Sequence, residues 1–238
     1  MVAMKTVTDG NGTTCFFEMS HHGTSSGAML FVPLQVSLVE QVPMVVYYHG
    51  HNSQHSIEGY IKAMKDRDFR PSLRDKQAIL VEPWGGLRSK FHYYQTPHGL
   101  QELINQAMSI AISNGAPARS APAQPPPPDS LILAGFSGGG QALNGVVWTK
   151  GGHYHRLLTE IWCFDCMYSG EGDSWAHWAR HHKSIKLRVR LSTQEGSGSP
   201  RHQCATLHSE SKGLNVDIAG EVHSTHEGLP GKFISTWL

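Results

Sequence analysis

The strongest constraint on this chain lies between Leu131 and Gly140. There an apolar run, Leu131 to Ala134, leads into Gly135-Phe136-Ser137-Gly138-Gly139, and a helix-compatible stretch follows through Ala142 to Trp148. When a strand turns sharply into a helix, the turn residue is held in a strained backbone conformation, and residues two before and two after it crowd each other. Gly135 and Gly139 meet that steric demand, so the segment reads as strand, elbow and helix, with the Ser137 hydroxyl lifted above a sheet. The Gly138 amide, at the start of the helix, is then placed to donate to a developing negative charge. A Gly-x-Ser-x-Gly also arises in ordinary glycine-rich turns. The apolar strand before it and the helix after it favour the elbow here.

The flanking sequence predicts the sheet that such an elbow needs. From about residue 43, strand-like and helix-like segments alternate, the pattern of a mainly parallel sheet covered by helices. Met44 to Gly50 is a continuous apolar run, typical of a strand buried on both faces. Ile57, Tyr60, Ile61 and Met64 then recur at helical spacing. Ala78 to Pro83 supplies another strand, and Leu100, Leu103, Ile104, Ala107, Met108 and Ala111 mark one face of a helix. Glu160 to Phe164 and Leu214 to Gly220 read as strands, and Gly231 to Leu238 as a closing helix. Between Ile185 and Leu191 apolar and basic residues alternate, which predicts a strand with one wet face near the sheet's edge. Upstream, Thr14 to Ser20 and Ala28 to Leu34 predict an antiparallel hairpin around a His/Gly/Ser turn. The expected fold is therefore a three-layer α/β/α sandwich around a mostly parallel sheet, as one domain over residues 1–238. The Pro-rich stretch Ala116 to Asp129 cannot continue a helix or a ladder, so it is expected as a stiff surface loop inside that domain rather than a boundary or an SH3-type ligand.

Composition narrows the partners. A formal charge of +1 gives no electrostatic reason to expect nucleic acid or an anionic membrane. No apolar run approaches the roughly 20 residues of a bilayer span. The N-terminus has no apolar signal core, so a cytoplasmic location is expected by default, although a removed leader would leave the same sequence. Cys163-x-x-Cys166 could form half a zinc site or a redox pair. It lies in an apolar strand-like run with no second such motif, so these two thiols, with Cys15 and Cys204, are expected to be buried and inert. The 16 histidines show no dedicated zinc spacing, despite the doublets His21-His22 and His181-His182.

A serine hydroxyl is a weak nucleophile and needs an imidazole to take its proton and return it to the leaving group. His226 and His223 both follow the last expected strand, and His226, just before Gly228-Leu229-Pro230, is favoured for reach. For the carboxylate that orients the imidazole, Asp165 and Glu195 each end or follow a strand after Ser137 and keep the chain order Ser, acid, His. Asp165 emerges from an apolar run, where a carboxylate is costly without a partner, and is favoured over Glu195, Asp173 and Asp217. Tyr48-His49-Gly50-His51 ends an earlier strand, where a second oxyanion donor is required. The His51 amide is the choice, with Asn52 as a side-chain contributor, against a plain glycine-containing turn.

Taken together, His49-Gly50, Gly135 to Gly139, Asp165 and the His226-x-x-Leu229-Pro230 ending resemble the α/β-hydrolase superfamily over roughly residues 40 to 238. The resemblance implies acyl transfer to water through a serine-bound acyl intermediate, with a small-molecule carboxylic ester as substrate and no metal or organic cofactor. A peptidase, amidase or cell-wall esterase on the same fold is the alternative. A non-catalytic binding module would normally lack one member of the set, and candidates for all are present. The chain departs from many esterases and lipases in having only about twenty residues between the Asp165 strand and the next, too few for a large cap. Tyr168 to His182 is instead expected as a short helix whose Trp175 and Trp178 either roof an acyl pocket or pack on the sheet. Asn52, Trp84, Tyr168 and Trp175 are the candidate substrate contacts, and Tyr93-Tyr94 carries a similar ambiguity.

Overall fold

The computed structural model describes residues 3–21, 24–34, 36, 42–51, 69–85, 89–115, 127–149, 153–168, 170–192, 200–220 and 226–238. The helical pattern at 57–64, residues 116–126 of the Pro-rich stretch, Asn52, Glu195 and His223 lie outside these described residues.

Three N-terminal strands, β1 (Ala3–Asp9), β2 (Gly12–His21) and β3 (Thr24–Pro33), run antiparallel to one another. The expected hairpin is therefore present, with Ser20 opposite Ser25 and His21 opposite Thr24. β1 is an addition that the sequence did not announce: residues 5–10 are exposed, so no apolar face marks it. The parallel part comprises β4 (Met44–Tyr48), β5 (Ile79–Pro83), β6 (Leu131–Phe136), β7 (Leu158–Phe164), β8 (Lys186–Leu191) and β9 (Val216–Gly220). The single sheet has the order β1-β2-β3-β5-β4-β6-β7-β8-β9, with β3 antiparallel to β5.

Burial on both faces of the central strands follows from their near-continuous apolar sequences. Along β4, Met44, Val46 and Tyr48 enter one core cluster while Val45 and Tyr47 enter the other. On β6 the two sets are Leu131 and Leu133 against Ile132, Ala134 and Phe136. The first layer contains α2 (Pro97–Gly115), α3 (Gly140–Trp148), α4 (Glu171–His181) and α5 (Pro200–Glu210), through residues such as Leu103, Leu143, Trp175 and Leu207. The opposite layer contains α1 (Arg70–Asp75) and α6 (Leu229–Trp237), through Leu73, Leu229, Phe233 and Ile234. Both of the latter helices carry a proline in the first turn, where the missing N–H costs no helical hydrogen bond. Among the described residues no helix is long and apolar enough to cross a membrane.

One sequence expectation is corrected. The basic face of β8 is not wet. Arg190 is only 8 % exposed, bonds Asp217 at 3.1 and 3.2 Å, and lies 4.7 Å from the Trp237 ring centroid. Arg188 pairs with Glu160 at 2.6 and 3.1 Å. An unpaired guanidinium here would cost several kcal/mol in desolvation. Carboxylates on β7 and β9 and the aromatic rings of α6 offset that cost, so the charged alternation marks a covered face rather than an exposed one. Of the two placements left open for Trp175, the buried one is found: the ring is 1 % exposed within the core cluster, beside Trp148 (5.4 Å) and Trp178 (5.6 Å).

Candidate active site

Parallel strands present their following loops at one edge of the sheet, where ligand sites of open α/β sheets gather. β4, β6 and β7 deliver His49-Gly50-His51, Ser137 and Asp165 to that edge, and His226, after β9 in the chain, lies beside Asp165.

Ser137 follows β6 directly, with φ +49° after the extended Phe136 and before a helical turn at Ser137–Gly139 that runs into α3. This left-handed backbone is the strained elbow conformation. The crowding differs in part from the mutual contact expected of Gly135 and Gly139. A Cβ on Gly135 would meet Leu143 at 3.1 Å and the Gly139 carbonyl only at 3.5 Å. One on Gly139 would fall 2.1 Å from the Tyr48 carbonyl oxygen and 2.7 Å from that of His49. Glycine at 139 therefore lets the elbow dock against the end of β4.

Asp165 ends β7 with φ +45° and is 4 % exposed. Its two oxygens have separate partners. Oδ1 accepts the Ser192 N–H at 2.9 Å, and Oδ2 lies 2.9 Å from Nδ1 of His226. A carboxylate only accepts, so His226 donates through Nδ1–H, which leaves Nε2 as its basic nitrogen. The ring of His226 packs on Phe136, the residue before Ser137, at a centroid distance of 4.5 Å. The structure thus brings Ser137, Asp165 and His226 to one place.

Tyr168 also belongs here. Its hydroxyl donates to the Asp165 carbonyl oxygen at 3.1 Å and stands 3.4 Å from Ser137 Oγ. With the phenolic proton so engaged, the Ser137 hydroxyl is the donor in the second contact. Burial raises the Tyr168 phenol above its ordinary range. Glu171 anchors this segment, accepting the Tyr168 N–H and the Asn144 amide, each at 2.7 Å. Burial raises its carboxyl as well, against the lowering effect of those two bonds. The sequence singled out Tyr168 but not Glu171 or Asn144, which sit in no motif.

On the β4 side, a Cβ on Gly50 would meet Phe136 and the Ser137 Cβ at 2.9 Å, so the Gly50 backbone lies directly against Ser137. The exposed His51 ring leans over Gly138, with Nε2 2.7 Å from where a Cβ would stand. The buried His49 bridges two loops. Its Nδ1 lies 2.6 Å from the Gly50 carbonyl oxygen and its Nε2 accepts the Gly85 N–H at 3.0 Å, which defines a neutral Nδ1–H tautomer. Trp84 is half-buried after β5, its backbone N–H donating to the Gly27 carbonyl at 2.8 Å, and Tyr94 is buried. Among the described residues, no three of His, Cys, Asp and Glu could hold a metal ion.

No family model matches this sequence, and no curated protein does. Solved structures do match. An S-formylglutathione hydrolase from Agrobacterium tumefaciens aligns over 99% of this chain and 96% of its own, at 10% identity and TM-score 0.64. A cold-adapted esterase from an Arctic intertidal metagenomic library aligns over 100% of both chains, at 12% identity and TM-score 0.60. The fold is that of the α/β-hydrolases. A ferulic acid esterase shares this α/β-hydrolase architecture over 95% of the present chain and 96% of its own, at 10% identity and TM-score 0.59.

Proposed function

We propose that the chain is a serine hydrolase that cleaves carboxylic esters of small molecules through an acyl-enzyme on Ser137. The observation that carries the reading is the 2.9 Å bond from His226 Nδ1 to Asp165 Oδ2, beside a serine held at φ +49° on a strand-to-helix elbow. Asp165 orients the imidazole and stabilises its protonated form without taking the proton. His226 Nε2 accepts the Ser137 proton as Oγ leaves its contact with Tyr168 and attacks the carbonyl carbon. The amides of Gly138 and His51 receive the oxyanion. His226 returns the proton to the departing alcohol, and a water, activated by the same imidazole, clears the acyl group. The roles need only side chains and backbone amides of this chain, and water. Esters are favoured over amides because the alcohol leaves with less activation than an amine.

Turnover of p-nitrophenyl acetate, butyrate and longer esters by the intact chain and by Ser137→Ala tests this reading. Turnover that Ser137→Ala abolishes is expected. Equal rates for both proteins, or none for the intact chain, would refute it.

A further inference from the structure

The segment after β5 holds a serine that this mechanism leaves unused. Ser89 is 2 % exposed, its backbone lies at φ +50°, and its Oγ is buried with no hydrogen-bond partner among the described residues. Each feature costs free energy: the left-handed backbone strains a residue with a Cβ, and a buried hydroxyl without a partner loses its hydration with no return. Glycine at this position would avoid both. Local rules broken without local compensation concentrate at functional sites.

Its surroundings say which site. The Lys90 N–H donates to the Gly85 carbonyl at 2.6 Å, and the Gly85 N–H donates to His49 Nε2 at 3.0 Å. Phe91 packs edge-on against Tyr48 and His49, at 5.0 Å from each. These contacts tie the residues on both sides of Ser89 to the end of β4. A Cβ built on Gly138 would stand 2.9 Å from Ser89 Oγ and 2.7 Å from His51 Nε2. The hydroxyl and the imidazole therefore meet over the residue whose amide is the proposed oxyanion donor. They also explain why the elbow reads Ser-Gly-Gly: any side chain at 138 would displace one of them.

We infer that the Ser89 hydroxyl is a third oxyanion donor, acting beside the Gly138 and His51 amides, and this inference rests on the hydrolase reading of Ser137. As Ser137 Oγ bonds to the acyl carbon and its proton passes to His226, the carbonyl π pair moves onto oxygen. Ser89 donates a hydrogen bond to that oxygen and keeps its proton. The exposed ring of His51 rotates aside to bring the oxygen within reach. The acceptor that Ser89 lacks is thus a charge that exists only during reaction, so its effect belongs to the transition state.

Ser89→Gly and Ser89→Ala separate this role from packing. Ser89→Gly relieves the backbone strain and removes the unpartnered hydroxyl, so its melting temperature should equal or exceed that of the parent. Its kcat on p-nitrophenyl acetate should nevertheless fall about 10- to 100-fold with KM within about twofold, and Ser89→Ala should match it in kcat. Affinity for a phenylboronic acid, whose tetrahedral adduct carries charge on oxygen, should fall by a similar factor. A folded Ser89→Gly with parental kcat and boronate affinity would overturn the inference. So would loss of folding in both variants, which assigns the hydroxyl to the core. Failure of the underlying reading looks different: the parent chain would not turn over ester, or Ser137→Ala would retain activity, and the role of Ser89 would fall with it.

Discussion

Asp165 holds a buried carboxylate on a left-handed backbone, with one oxygen on the Ser192 amide and the other on His226. The second bond selects the Nδ1–H tautomer. An asparagine in its place would keep the shape, and asparagine tolerates the left-handed region. Its amide, however, can turn an N–H toward His226 and favour the wrong tautomer. Asp165→Asn should therefore reduce kcat by about 10³- to 10⁴-fold with little change in melting temperature. Ester kinetics beside a thermal melt check this, and a large fall in melting temperature with modest loss of activity would contradict it. At this scale much of the site was legible. An acid emerging from an apolar run announces a partner, because a carboxylate there is costly alone, and a histidine just after the last strand stands where reach back to the serine is easiest. Ser89 was not legible: Leu87-Arg88-Ser89-Lys90 has no motif, and its meaning comes from a close approach to Gly138 that no local pattern encodes.

At the scale of elements, the site depends on how tightly the β6–α3 elbow seats on the end of β4. Gly139→Ala places a methyl group 2.1 Å from the Tyr48 carbonyl oxygen, a backbone atom that cannot swing away. The elbow must lift, at a cost of about 1–3 kcal/mol, and Ser137 moves off the Gly50 backbone. Denaturant melts should show that loss, and ester kinetics should show a lower kcat; parental stability would mean that the seating is looser than these distances. The central strands were readable because burial on both faces demands unbroken apolar runs, as in β4 and β6. β8 misled because ion pairs to Glu160 and Asp217 let arginines occupy a covered face. β1 escaped notice because its residues 5–9 are exposed and the pattern there marks no core.

For the molecule as a whole, a shared fold at 10% and 12% identity means that pattern, not particular residues, carries the architecture. The four cysteines illustrate what that architecture encloses. All four are buried free thiols, and burial raises Cys15, Cys163 and Cys204 above the ordinary thiol range. A raised value removes thiolate at mild alkaline pH, and the thiolate is the reactive form. Ellman's reagent at pH 8 should therefore leave these thiols unmodified in the native chain and modify all four in guanidinium; prompt reaction of the native chain would contradict the packing. The central claim is that the sheet's edge assembles an activated serine. The most direct test is fluorophosphonate labelling, followed by peptide mass spectrometry, of the parent, Ser137→Ala and His226→Ala. The expected result is a stoichiometric adduct on the peptide containing Ser137 in the parent, none in Ser137→Ala, and greatly slowed labelling in His226→Ala. An unlabelled parent chain, or an adduct that persists in Ser137→Ala, would contradict it.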